Sequence, residues 1–297
     1  MAEYQILVQE GNQRIDKYLS DCLPTLTRTK IQSLIKSGHI TLLPDHQRVS
    51  VSDKSKVGEK YNVVVPEPLH STAFSQVLDV VYEDDHLAVI NKPAGLTVHG
   101  GVGTNNDTLV DLLLQSYGPE NLSNRVMRPG IVHRLDKNTT GLMVIAKNDM
   151  VHAKLADAIM TRQLKRQYIA IVCGSLSKTT GTIDANIAPC PKDRRRMHIV
   201  KNAGKQAITH YQVLKTVKDK YSIVECTLET GRTHQIRVHM SYIGHPIVGD
   251  MTYGTTSNMI ERQALHAYKL SFVHPVNAQN LSFQSELPSD IKRIANL

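Results

Sequence analysis

The sequence predicts an α+β protein: a small N-terminal α+β module, then a larger domain built on a large, mostly antiparallel mixed sheet. Three observations predict it. Strand-like runs outnumber helix-like ones. They do not alternate regularly with helices, which argues against a doubly wound fold. A stretch with two prolines and several small polar residues, PEPLHSTAFSQ, separates a short first part from a long second part. Domains are therefore expected at 1–65 and 77–297, with 66–76 as the linker. At 297 residues the chain is long enough for two cores.

In the first module, RIDKYLSDCL places Ile15, Tyr18, Leu19 and Cys22 on one helix face. TRTKIQSLIKSG repeats the spacing with Ile31, Leu34 and Ile35, between Thr27 as N-cap and Gly38 as stop. HITLL and YNVVV follow as short strands. Arg28, Lys30 and Lys36 lie around the second helix, either as a solvated face or as contacts to an anionic partner.

In the larger domain, VLDVVYED and HLAVINK read as strands, and TLVDLLLQSYG as a helix ending near Gly118. A loop over 119–130 leads to IVHRLDKNTTG, and GLMVIAKN is strongly β-like. DMVHAKLADAIMTRQLK is an amphipathic helix with Val151, Leu155, Ile159 and Met160 on its apolar face. RQYIAIVCG, ITHYQVLKTV and YSIVECTLET are strands, and the basic PKDRRRMHIV follows a hairpin region. THQIRVHMSYIG switches to helical spacing, and LHAYKLSFVHPV and a short tail close the chain.

The net charge is +8, and it is localised. Residues 161–220 hold 13 Lys/Arg against 3 Asp/Glu, whereas residues 1–65 hold 9 against 7. A localised basic stretch is the footprint expected where a phosphate backbone lies. Cys22, Cys173, Cys190 and Cys226 form no CxxC pair and no zinc spacing, so isolated thiols in a reducing cytoplasm are expected. The N-terminus lacks a signal-peptide pattern, and no apolar run approaches the roughly 20 residues that span a bilayer. No membrane association is expected.

Three constellations carry chemistry. In IVHRLDKNTTG, Asp136 sits between a basic pair and a Thr139-Thr140-Gly141 turn before a strand. It is either a structural ion-pair partner or a carboxylate held at a sheet edge, facing a cleft. A kinase-like site is excluded, because the HRD pattern is split by Leu135 and no glycine-rich loop exists. A zinc hydrolase is excluded for want of HExxH. A glycosidase would need a second carboxylate near the other motifs, which supply mainly Arg, His and Tyr. What remains is one carboxylate working without metal or cofactor.

In LETGRTHQIRVHM, Gly231 permits a tight strand-to-helix turn, and Arg232, His234, Arg237 and His239 cluster at the helix start. Cations at a helix N-terminus are locally unfavourable, so an anion is expected there, and Asp136 could supply it for one arginine. In RQYIAIV, Tyr168 is either core packing or a ring that stacks on a flipped base and serves as a general base.

Together, HRLDKNTTG, NKPAGLTVH, LETGRTHQIRVHM, GHPIVGD and LHAYKLSFVHP resemble the blocks of the RluA family of pseudouridine synthases, in order. Thr140 stands where many members have Ser. RIDKYLS and LTRTKIQSLIKSGHITL resemble the S4 RNA-binding domain, which the RluD-like branch carries at its N-terminus.

The resemblance implies isomerisation of uridine to pseudouridine in RNA, with no cofactor and no metal. It maps the essential aspartate onto Asp136, its arginine partner onto Arg237, and the base-packing tyrosine onto Tyr168. Ile236 would line the other side of the base, and Arg134 would fill the space the flipped nucleotide leaves. Lys192, Arg194, Arg195, Arg196 and Lys201 are candidate backbone contacts, with Arg28, Lys30 and Lys36 as a second grip. The implied partner is RNA: a stem-loop of large-subunit (23S) ribosomal RNA, or a ribosomal particle. The alternatives are a tRNA pseudouridine synthase and a non-catalytic RNA-binding or ribosome-assembly factor. A cytoplasmic monomer is the expected state.

Overall fold

The structure is a computed structural model that describes residues 2–24, 26, 28–65, 77–100, 108–123, 128–193, 195–254 and 256–296. Thr27, the 66–76 segment and Arg194 lie outside the described residues. The chain divides into two compact units, Met1–His70 and Ser71–Leu297.

The first unit runs β1 (Ala2–Leu7), α1 (Ile15–Cys22), α2 (Arg28–Lys36), β2 (Ile40–Leu43), β3 (Gln47–Arg48) and β4 (Lys60–Val65). Its strands pair in the order β1-β4-β2-β3, all antiparallel. Ile15, Leu19, Ile31, Leu34, Ile40 and Val63 form the core. The expected face of α1 holds for Ile15, Tyr18 and Leu19 but fails at its end: Cys22 is exposed, and Asp16 is buried instead. Gly38 ends α2 as expected, at φ 76°, where an L side chain would be strained. Strand β1 was not anticipated.

The second unit runs β5 (Val80–Glu83), β6 (Leu87–Lys92), α3 (Leu109–Tyr117), β7 (Thr140–Ala146), α4 (Asp149–Met160), β8 (Lys165–Cys173), β9 (Thr180–Asp184), β10 (Asn186–Pro189) and β11 (Met197–Val200). It continues through β12 (Ile208–Val217), β13 (Tyr221–Leu228), α5 (Gln235–Tyr242), β14 (Leu265–Val273), β15 (Asn280–Gln284) and α6 (Ser289–Ala295). Among the described residues nine strands form one sheet, β5-β6-β7-β14-β8-β13-β12-β9, with β15 paired to β14. Only the β7–β14 pairing in it is parallel, so the sheet is mixed and mostly antiparallel, as expected. Strands β9 and β15 and helix α6 went unread in the sequence.

Strand β7 is buried along its whole length. Its alternate side chains enter two cores, Met143 and Ile145 on one face, Leu142 and Val144 on the other. Val151 and Leu155 of α4 cover the second face. Met160, expected on that apolar stripe, is 75% exposed because it is the last residue of the helix. Antiparallel β10 and β11 make a separate hairpin, and Lys192, Arg195 and Arg196 fall between its two strands. No helix among the described residues is long and apolar enough to cross a membrane.

Candidate active site

Asp136 precedes β7, near the middle of the sheet. Its carbonyl accepts from Thr139 N at 3.0 Å, so the turn closes at Thr139. Thr140 and Gly141, expected in that turn, belong to β7 instead. Gly141 has a steric reason: a Cβ there would lie 2.2 Å from the carbonyl oxygen of Ala267, across the β7–β14 pairing.

Three side chains from elsewhere grip the loop after Asp136. The ammonium of Lys92, 1% exposed, donates to the carbonyls of Pro93 (2.7 Å), Leu96 (2.8 Å) and Lys137 (3.0 Å). Arg262, paired with Asp290, donates to Asn138 O at 3.2 Å. Gln263 donates to Thr139 Oγ1 at 3.2 Å. Burial pushes the Lys92 pKa down to about 7, against the opposing pull of Asp136.

Arg237, on the first turn of α5, joins two carboxylates. Its Nε and Nη2 donate to Asp250 Oδ2 (2.7 Å) and Oδ1 (2.9 Å), a bidentate pair. Its Nη1 donates to Asp136 Oδ2 at 3.0 Å. Burial opposes the Arg237 charge, but Asp250 and Asp136 outweigh it, so its pKa rises. The cation at a helix N-terminus thus meets the anion the sequence called for, and a second one. Asp250 Oδ1 also accepts from the backbone N–H groups of Thr252 and Tyr253.

The expected cluster of four cations is not formed. Only His234 and Arg237 face Asp136, with His234 Nε2 4.0 Å from Asp136 Oδ1. Arg232 is exposed and donates to Gln206 O. His239 is buried on the far side of α5, against Thr209 Oγ1 and Ala185 O. Gly231 has an ordinary backbone rather than a positive φ; what it permits is close approach, since a Cβ would meet Arg166 Nη1 at 2.8 Å.

A cleft of about 330 Å³ opens beside Asp136, lined by Arg134, Tyr168, Ile236 and Arg237 among others. The structure thus brings together every residue of the larger unit expected at the reacting base. Tyr168 is 5% exposed, and burial raises its pKa. Ile236 is 4% exposed. Arg134 is exposed, with Nη1 3.1 Å from His99 Nε2.

Of the expected RNA contacts in this unit, Lys192, Arg195, Arg196 and Lys201 do not line this cleft. All four are exposed, and Arg195 is paired with Asp193. Arg196 lies over the Tyr253 ring, 5.6 Å from its centroid, and Arg237 lies 5.1 Å from the same ring. In the first unit Lys36 is exposed and Lys30 partly so, while Arg28 binds Asp16 at 2.8 Å.

Asp250, Tyr253, Lys92 and Arg166 were not singled out in the sequence. GHPIVGD and NKPAG flagged the neighbourhoods of Asp250 and Lys92. Nothing local signalled that Tyr253 would take a hydrogen bond from Met197 N (2.7 Å) and meet His234 Nδ1 (2.8 Å).

Comparison with known proteins gives the family of the chain. Residues 86–242 match the RNA pseudouridylate synthase family. The chain is 42% identical to an uncharacterised RNA pseudouridine synthase, YlyB, of Bacillus subtilis, over 96% of this chain and 94% of that one. It is 40% identical to a protein of Zymomonas mobilis named ribosomal large subunit pseudouridine synthase D, over 94% of this chain and 92% of that one. Among solved structures, human RNA pseudouridylate synthase domain containing 1 superposes with a TM-score of 0.57 at 26% identity, covering 75% of this chain and 86% of the human one. With its mixed sheet, its central cleft and these matches, the chain belongs to the RNA pseudouridylate synthase family.

Proposed function

We propose that this RNA pseudouridine synthase modifies large-subunit ribosomal RNA, with Asp136 as its catalytic carboxylate. The observation that carries the site assignment is the asymmetry of that carboxylate. Oδ2 is fixed by Arg237, while Oδ1 accepts no hydrogen bond among the described residues and remains partly open to the cleft. A carboxylate so held can act on the ribose in either of two ways. It can take C1′ as a nucleophile, or take the 2′ proton so that a glycal forms.

Arg237 orients the carboxylate and is itself oriented by Asp250. Tyr168 packs on the base and helps remove the C5 proton, and Ile236 lines its other side. Arg134 occupies the gap left by the flipped nucleotide, where a guanidinium plane can stack and donate. Flipping costs a few kcal/mol, least in a loop. Lys192, Arg195 and Arg196, with Arg194 of the same basic stretch of sequence and an S4-like RNA-binding module at 1–65 joined through 66–76, offset that cost by contacts to the backbone. Lys30, Lys36 and the exposed part of Arg28 serve in the second grip. The ribosomal target is supported by relatives named for the large subunit. It implies a cytoplasmic enzyme, and we take it as a monomer.

The test is pseudouridine mapping of total RNA by carbodiimide labelling and primer extension, in cells with the protein, without it, and with Asp136→Ala. Stops in large-subunit RNA that vanish in both altered strains are expected. Stops lost from tRNA instead would move the substrate to tRNA. If no stop depends on Asp136 while RNA binding persists, the protein is a binder and the catalytic reading fails.

A further inference from the structure

We propose that Arg166 is a further catalytic residue: its guanidinium receives the negative charge that develops on the uracil ring as N1 leaves C1′. This rests on the reading that the cleft beside Asp136 takes a flipped uridine.

The buried cations of this unit otherwise have partners. Lys92 has three carbonyls, Arg237 two carboxylates, and Arg262 a carboxylate and the Asn138 carbonyl. Arg166 is 5% exposed and lines the cleft, and its side chain has no hydrogen bond or ion pair among the described residues. Its Nε is shielded from solvent with no acceptor. Leaving a buried guanidinium without an acceptor costs several kcal/mol, so a fold that keeps one has a use for it.

A second donor faces the same want. His133 Nε2 accepts from Val144 N at 3.2 Å, which puts the ring hydrogen on Nδ1, and that atom is shielded and unpaired. Burial, with Arg166 nearby, pushes the His133 pKa down to about 3, so the ring stays neutral. His133 also lines the cleft. Two donors without acceptors in one cleft describe a site whose acceptor comes with the ligand.

The position suits a base better than a phosphate. Arg166 and Tyr168 are two residues apart on β8 and so point to one face of the sheet. The same cleft is lined by the apolar Leu135, Leu228, Ile236 and Leu265 as well as by Arg128, Arg134 and Arg232. An apolar cradle with a buried donor matches a flat ring bearing carbonyl oxygens. Gly231 carries the same message: its missing side chain leaves room for the guanidinium.

The chemistry balances. The N1–C1′ bond breaks, and its electron pair passes to N1 and spreads onto O2 and O4. C1′ is taken by the Asp136 carboxylate, or C2′ gives its proton to it. After the base turns, C5 bonds to C1′ as the Asp136 carboxylate leaves that carbon or, on the other route, as C2′ takes its proton back from Asp136; the C5 proton then leaves, and N1 takes up a proton. Arg166 keeps its own protons throughout and stabilises the anionic base by hydrogen bonding in a water-poor site.

The test compares single-turnover loss of the target nucleoside in RNA carrying uridine or 5-fluorouridine at that position. Fluorine stabilises the departing anion, so an enzyme lacking Arg166 should need it less. Arg166→Met is expected to slow the uridine substrate about 100-fold, with RNA affinity and its salt dependence unchanged, and the fluorinated substrate by about tenfold or less. Arg166→Lys should fall between. Equal losses on both substrates would overturn the proposal. So would a loss of affinity with a shallower salt slope, which marks a phosphate contact. If Arg166→Met does not fold, Gly231→Ala displaces the guanidinium without removing it, and the same two-substrate comparison decides. An Asp136→Ala enzyme with full activity would instead sink the underlying active-site reading, whatever Arg166 does.

Discussion

Asp16 in the first unit and Asp136 in the second are both aspartates held by arginine, but their oxygens are occupied differently. Asp16 Oδ1 takes Arg14 Nε at 3.1 Å, and Oδ2 takes Arg28 Nε at 2.8 Å and Gln32 Nε2 at 2.6 Å. Burial favours its neutral form, yet these donors together hold its carboxyl well below the usual range. Asp136 has one arginine on one oxygen, and its other oxygen faces the cleft. A saturated carboxylate can only hold structure together. An unsaturated one, fixed from behind, is free to react. On the proposed reading, pairing with arginine does not separate a structural aspartate from a reactive one; the count of filled acceptor sites does.

That contrast breaks most sharply at Asp136 itself. Asp136→Asn should lower pseudouridine formation by more than about 10⁴-fold. Stability should change by about 1 kcal/mol or less, because Arg237 keeps its bidentate Asp250 partner. Parallel rate and urea-unfolding measurements check both halves. A large stability loss would place Asp136 with Asp16 among the structural aspartates.

The reverse pattern is expected at Asp250, which is fully buried and bonded at both oxygens. Asp250→Ala strips a buried arginine of its main partner and should cost about 3–5 kcal/mol in urea unfolding. A variant with wild-type stability would mean Arg237 does not depend on that pair.

Asp16→Ala should cost less, about 1–2 kcal/mol. The side chain is fully covered, but the cover includes Arg14 and Arg28, which are themselves about half exposed. Turnover at saturating RNA should survive this change; a matching fall in kcat would show that the two aspartates are not independent.

The units should also differ in acid response. His133 and His266 in the second unit are held neutral by burial, with pKa values pushed down to about 3 and about 4. Once unfolded, both take up protons below about pH 6.5. Their folded values are lowered, so the unfolded state binds more protons as pH falls from 6.5, and stability declines through that window. Asp16 works the other way round in charge but lower in pH. Its contribution is present above the ordinary carboxylate value and is lost only as pH falls below about 4. Unit-resolved urea titrations by NMR at pH 7, 5.5 and 4.5 should show the second unit weakening first. Simultaneous loss would contradict the comparison.

Much of this was legible in the sequence, for physical reasons that differ by residue. Strand and helix periodicities are local, so β6, β8, β13, α3 and most of α4 could be read directly. Asp136, Tyr168 and Arg237 could be named because each sits in a long motif, although they are far apart in the chain. Asp250, Arg166 and Tyr253 could not be assigned roles, because their partners are fixed by strand order and by the path after α5. Asp16 was not singled out, since nothing in RIDKYLS shows that Arg14, Arg28 and Gln32 fold over it. Strand β1 was missed because AEYQIL is too short to stand out before its partner β4 is known.

The three carbonyls around Lys92 carry a consequence for what this position tolerates. They converge on one nitrogen and match its three hydrogens, a tripod that accepts a point donor. Arginine would bring the same charge in a flat fork, with its hydrogens directed away from a common centre. A substitution that conserves charge would therefore be as disruptive there as one that removes it. In this pocket the selection is for the shape of the donor.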